Sequence, residues 1–191
     1  LGQRVWQAAN GAFDRMPFGA ILHGRGDFQL FCSHGGICRG DLTIEDMRKI
    51  PAVFDPCVNQ ESPEARIVPA CLWSDPCPSH QEHLLLPDGF LSVEECMQLH
   101  AAGQLDLDGR LHVRYLIYGQ RAIDAFCERN AFCMCLRGHQ CKIRGLELAK
   151  KGRLMTVFSD SKDHGLGASA KSGCVLIEQD SITPIVFHSD V

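Results

Sequence analysis

A chain of 191 residues and 21.1 kDa, 45% apolar and 22% charged, has the composition of one globular domain with a sizeable core, not of a disordered or fibrous segment. Its formal net charge of −4 comes with no basic tract, which speaks against a nucleic-acid partner. No apolar run approaches the roughly 18 residues of a membrane span, so no membrane association is expected either.

Eleven cysteines are an odd number in a chain that is not short, and the start lacks the charged-then-apolar pattern of a signal peptide. Buried reduced thiols therefore fit better than a disulfide framework, and the expected location is cytoplasmic or nuclear. The chain opens Leu-Gly-Gln-Arg, without Met, and is expected to be a piece of something longer.

In chain order, Val5, Ala9 and Phe13 recur four apart with Trp6 alongside, which predicts an amphipathic helix ending near Met16-Pro17. G-A-I-L-H and F-Q-L-F-C-S, separated by G-R-G-D, predict neighbouring strands joined by a turn. L-T-I-E-D-M-R-K-I predicts a helix with Thr43 as N-cap and Asp46 in its first turn, stopped by Pro51. From Asp55 to Pro69, three prolines (56, 63 and 69) predict loop. Residues 77–111 read as a polar excursion holding one helix, with a Ser92/Glu95 capping box and Gly103 at its C-terminal end. Residues 119–130 predict a helix with Ile123, Phe126 and Cys127 inward. Strands are predicted at A-F-C-M-C-L, L-M-T-V-F-S, C-V-L-I-E and I-V-F-H.

Three of these strands finish in polar chemistry. F-Q-L-F-C-S runs into His34-Gly35-Gly36, A-F-C-M-C-L into Arg137-Gly138-His139-Gln140, and L-M-T-V-F-S into Asp160-Ser161-Lys162-Asp163-His164. Layered α/β proteins gather their sites where neighbouring strands give way to loops at one sheet edge. Two imidazoles delivered there beside glycines suit a metal ion, because neutral histidine is a strong ligand for Zn, Mn or Fe. A single strand-end histidine is more often a hydrogen-bonded structural residue or a surface loop residue; the pair is what raises the metal reading.

Phe31-Cys32-Ser33-His34-Gly35-Gly36-Ile37 resembles the F-C-V-H-G-G-L block of the metal-dependent serine/threonine phosphoprotein phosphatases. Further blocks follow in that family's order: Ala12 to Pro17, Leu72-Trp73-Ser74-Asp75-Pro76 (family L-W-S-D-P), Tyr118-Gly119, Leu136 to Gln140 (family R-A-H-Q) and Val157-Phe158-Ser159. The resemblance covers about residues 5–188, apart from an insertion at about 78–108. It implies an α/β (α+β) calcineurin-like metallophosphatase architecture, a β-sandwich with flanking helices, incomplete here because residues 1–191 match the C-terminal part of the catalytic domain. It further implies a dinuclear centre of two divalent or trivalent ions (Mn, Fe or Zn), one held by His34 and His139. Trp73, Asp75 and Arg137 would line the substrate cleft. Phosphoprotein substrates and regulatory subunits would be the partners.

Departures from the family pattern are as informative. Counting seven residues back from Gly119, where the family has a phosphate-clamping arginine, reaches His112, flanked by Arg110 and Arg114; His112 and Arg114 are the catalytic candidates. The family's S-A-P-N-Y-C becomes Ser159 to His164, without its tyrosine. The family's Asp-x-His-Gly, Gly-Asp-x-x-Asp-Arg-Gly and Gly-Asn-His-Glu motifs are absent, so the chain alone is expected to be inactive. Two other readings stand beside this one: a non-catalytic pseudophosphatase or interaction module keeping the fold, and a structural zinc site on Cys133, Cys135, His139 and Cys141.

Overall fold

A computed structural model of the chain describes residues 2–40, 42–51, 62–105, 115–160 and 171–188. Helix α1 (Gly2–Phe13) leads into β1 (Gly19–His23) and β2 (Gln29–Ser33). Helices α2 (Ile44–Arg48) and α3 (Pro63–Trp73) follow, then β3 (Asp75–Pro76), β4 (Phe90–Ser92), α4 (Val93–Ala101) and β5 (Leu116–Tyr118). The last third is α5 (Gln120–Asn130), β6 (Met134–Arg137), β7 (Leu146–Ala149), β8 (Leu154–Val157), β9 (Lys171–Ile177) and β10 (Ile182–His188).

The main sheet has the order β1-β2-β6-β8-β7, with β2, β6 and β8 parallel and the two outer strands antiparallel to their neighbours. Strand alternation sends Phe31, Cys135 and Leu154, which stand level in the register, to one face. There they pack against Ile67, Ala70 and Cys71 of α3 and Ile123, Phe126 and Cys127 of α5. The rings of Phe31, Phe126 and Phe132 meet at centroid distances of 5.2–5.8 Å. Leu30, Leu136 and Met155 face the other way, onto Val175, Ile177 and Ile182 of the β9–β10 hairpin. Helices on one face and a hairpin on the other match the sandwich with flanking helices that the resemblance implies.

Several local expectations hold to within a residue or two. Thr43 and Asp46 form the capping box of α2, and Ser92 and Glu95 that of α4, with Gly103 just past its end at φ +67°. Replacing Ser92 by alanine strands the Glu95 N–H, which donates to its hydroxyl at 3.2 Å. The expected cost is about 1 kcal/mol, read in thermal unfolding as a Tm lower by about 2–4 °C.

The loop expected from Asp55 to Pro69 is overturned where the structure describes it, from residue 62 on. Ser62 caps α3 by accepting from Ala65 N–H, and the helix runs through Pro69. An interior proline costs a helix about 3 kcal/mol. Ile67, Ala70 and Cys71, all at 0% exposure, give back more by leaving water. Residues 52–61 lie outside the described residues. The expected insertion is also knit into the fold over its described part, to residue 105. Leu91, Cys96 and Leu105 share a second small core with Cys77 and Ile117, and buried Lys150 reaches Glu82 and the Cys77 carbonyl.

The ten described cysteines are free thiols, six of them buried. Burial pushes the Cys38 and Cys77 thiols up to about 11, out of the reactive range.

Candidate functional site

Ser33, Arg137 and Thr156 stand level at the carboxyl ends of the three parallel strands. The residues that follow therefore leave the sheet at one edge. His34 comes off β2 and His139 off β6, and the Gly138 N–H donates to the His34 carbonyl at 3.0 Å, lacing the two exits together. The ring centroids of His34 and His139 are 5.1 Å apart at an interplanar angle of 67°. Trp73, at the end of α3, walls them in: its ring lies 5.4 Å from His139 and 6.4 Å from His34, edge-on to both.

The glycines after His34 have a steric reason. The Gly35 N–H donates to the Cys71 carbonyl at 2.6 Å, and its own carbonyl accepts from the buried Tyr118 hydroxyl at 3.3 Å. A Cβ at Gly35 would lie 2.5 Å from Trp73 N and 2.6 Å from Leu72 C, backbone atoms that cannot rotate away. Gly36 is similarly closed by the Tyr118 ring. Gly35→Ala is expected to cost about 2 kcal/mol by overpacking. At Gly138, where the family has alanine, a Cβ would meet His34 Nδ1 at an ordinary 3.4 Å. Gly138→Ala should stay within about 0.5 kcal/mol of the parent in the same denaturation experiment.

His139 takes a backbone conformation unusual for a side-chain-bearing residue, with φ +62°. Gln140 N–H donates to the Gly138 carbonyl at 2.7 Å, closing a tight three-residue turn around it. Local strain of this kind persists where surrounding bonds over-determine it.

Those bonds radiate from Arg137. Its guanidinium donates to Asp75 Oδ1 (2.9 Å), the Ser74 carbonyl (3.3 Å) and Gln140 Oε1 (2.9 Å). Its side chain has 0% exposure. Alternation puts residue 137 on the same inward face as Cys135, so the arginine expected in the cleft is instead a buried strut beneath it. Asp75 is held at the rim, with Oδ2 3.8 Å from His139 Nε2, in ion-pair range but too far for a hydrogen bond. Sequence reasoning gave Gln140 and Tyr118 no role, although both fall inside quoted motifs.

His34 stands exposed at the edge. The wall around it, then the positive charge of Arg137, hold its pKa below the usual histidine value, with Asp75 opposing. A neutral ring keeps a lone pair for a cation. Two imidazoles are donors that Zn, Mn or Fe accept. Among the described residues no three His, Cys, Asp or Glu form a group that could hold a metal ion. His112, Arg110 and Arg114 lie outside the described residues, as do Ser161 to His164. The alternative zinc set does not gather: Cys135 Sγ is buried 3.8 Å from Cys127 Sγ, and Cys133 donates to the Asp27 carbonyl at the opposite end of β6.

No family model matches the chain. It is 28% identical over 155 residues to a serine/threonine-protein phosphatase 4 catalytic subunit of Eremothecium gossypii, covering 81% of this chain and 39% of that protein. It is 26% identical to a PP2A-like serine/threonine-protein phosphatase, PPG1, of Candida albicans (81% and 29% covered). It is 24% identical to the serine/threonine-protein phosphatase BSL2 of Arabidopsis thaliana (98% and 16%). The fold matches a solved serine/threonine phosphatase of Saccharomyces cerevisiae, with similarity to human phosphatase PP5, at TM-score 0.67 and 17% identity, over 99% of this chain and 52% of that one. The chain thus spans about two fifths or less of the curated relatives it matches. The chain is thus similar in sequence over four fifths of its length, and in fold over nearly all of it, to part of known serine/threonine protein phosphatases.

Proposed function

We propose that this chain forms the C-terminal part of a metal-dependent phosphatase site that hydrolyses phosphoserine and phosphothreonine esters on proteins, with His34 and His139 as ligands of one ion. The observation that carries this is the convergence of two imidazoles, far apart in sequence but carried by neighbouring strands, 5.1 Å apart at one sheet edge. When bound, metal ions of this kind lower the pKa of a coordinated water and neutralise phosphoryl oxygens, the two obstacles to hydrolysing a phosphate monoester dianion.

The chain's own residues have separable tasks. His34 presents its ring at the exposed rim. The left-handed turn at Gly138-His139-Gln140 fixes the direction of the second ring, and Arg137 fixes Asp75 beside it. An ordered carboxylate near the far nitrogen of a ligand biases its tautomer and orientation. Trp73 closes one side against water. His112 and Arg114, with Arg110, remain the candidates for the cation that would meet equatorial phosphoryl oxygens.

Two imidazoles are too few donors for a tight divalent site, so this reading requires further ligands beyond His34 and His139. The test is a phosphatase assay on the complete parent polypeptide with manganese, offering phosphoserine, phosphothreonine and phosphotyrosine peptides. Metal-dependent release from the first two is expected. No release from any of them would overturn the reading in favour of a non-catalytic module.

A further inference from the structure

Helix α5 borders a second concavity, lined by none of the residues of the strand-end site. This pocket of about 290 Å³ lies where α5 meets Cys38, in the chain after β2, and Asp88 and Phe90 at the start of β4. On the helix, Ala122, Ala125, Phe126 and Arg129 line it. They recur at i, i+3, i+4 and i+7, which is one face of a helix. The two alanines leave open the room that longer side chains would fill.

The walls are held in place. Gly89, at φ +86°, packs so closely on α5 that a Cβ would lie 2.7 Å from Ala122 N. Its carbonyl accepts the Gly119 N–H at 2.9 Å. Arg39 donates to both carboxylate oxygens of Asp88, and one of these also accepts the Phe90 N–H at 3.2 Å. Across the pocket, Arg129 donates to the Gly40 carbonyl at 3.5 Å.

Floor and mouth differ in chemistry. Cys38, Phe90, Ala122 and Phe126 are each at most 4% exposed and give an occupant apolar surface. Arg121 and Arg129, both exposed, bring two guanidinium groups to the lining. The carboxylate in that lining, Asp88, is already engaged by Arg39. Positive charge reaches the floor as well: burial pushes the Cys38 thiol up, and the two charges that oppose it are Arg66 and Arg129. An apolar floor beneath a cationic mouth suits a ligand with a hydrocarbon body and one anionic end. An inorganic anion would leave the floor unused, and a neutral hydrocarbon would leave the guanidinium groups to water.

We propose that this pocket binds a small apolar carboxylic acid, its hydrocarbon body seated on Cys38, Phe90 and Phe126 and its carboxylate met by Arg121 and Arg129. The site is independent of the phosphatase reading, because it uses none of the residues assigned to phosphate hydrolysis.

The test is a titration of the complete parent polypeptide, followed by saturation-transfer NMR, with phenylacetate as probe and acetate and 2-phenylethanol as controls. Phenylacetate should bind saturably with a Kd of roughly 1 mM, and each control at least roughly tenfold more weakly. Ala125→Phe, at an exposed position, fills the pocket without touching a charge; it should abolish phenylacetate binding and leave Tm unchanged. Arg121→Gln combined with Arg129→Gln should weaken phenylacetate roughly tenfold and leave 2-phenylethanol as before. Acetate bound as well as phenylacetate would reduce the site to unspecific attraction by exposed arginines and overturn the proposal. So would 2-phenylethanol bound equally well, phenylacetate binding that survives Ala125→Phe, or no saturation by roughly 10 mM. No readout here is phosphate release, so this result and that of the phosphatase assay stand or fall separately.

Discussion

If the proposed function holds, replacing either His34 or His139 by alanine in the complete parent polypeptide should lower kcat on a phosphoserine peptide by at least roughly 100-fold. His34 is exposed, so its loss should cost under about 1 kcal/mol of stability, whereas the His139 side chain is 14% exposed and packs against Trp73, so its kcat loss is to be read beside a measured Tm. The double variant is the sharper measurement. Because both rings are assigned to one ion, removing the second should add little to removing the first. Losses that multiply would mean two independent jobs, and activity surviving either single change would remove that residue from the ligand set.

Arg137→Met gives the second large effect, in stability as well as in the site. The substitution keeps the length of the buried side chain but deletes the donors to Asp75, the Ser74 carbonyl and Gln140. Breaking a buried pair from one side costs 3–5 kcal/mol, and the part-exposed Asp75 places this case near the lower end, about 3 kcal/mol. Thermal unfolding should report a Tm lower by about 6–12 °C. Adding Asp75→Leu to Arg137→Met should return part of that loss, since the carboxylate is then no longer left without its partner. Metal affinity is the second readout. With Asp75 and Gln140 unanchored, the turn holding His139 loosens, and affinity should fall roughly 10–100-fold. An unchanged affinity alongside the stability loss would make Arg137 a purely structural strut.

What the sequence made legible follows from how local each signal is. Capping boxes lie within four consecutive residues, so Thr43/Asp46 and Ser92/Glu95 could be read directly and stand as expected. Alternation in F-Q-L-F-C-S and the strands of the last third is equally local, and it carries the two faces of the sandwich. Helix α3 could not be read that way. Its prolines are local signals for loop, whereas its stabilisation comes from Phe31, Tyr118 and their neighbours, which the chain brings in from elsewhere. Strands β3, β4 and β5 are two or three residues long, too short to show any period.

The site divides along the same line. His34, His139, Trp73 and Asp75 were legible as types in a motif, and the fold gathers them. Arg137 was legible as a residue but not as a direction. That it points inward depends on the parity of position 137 relative to Cys135 in a strand whose buried face is known only once α5 is packed on it.

The most direct measurement is anomalous scattering from crystals of the complete polypeptide grown with zinc. A single strong peak with one ring nitrogen of His34 and one of His139 each at about 2.0–2.1 Å is the result expected. A peak bound to only one of these rings, or none near either at saturating zinc, would contradict the account.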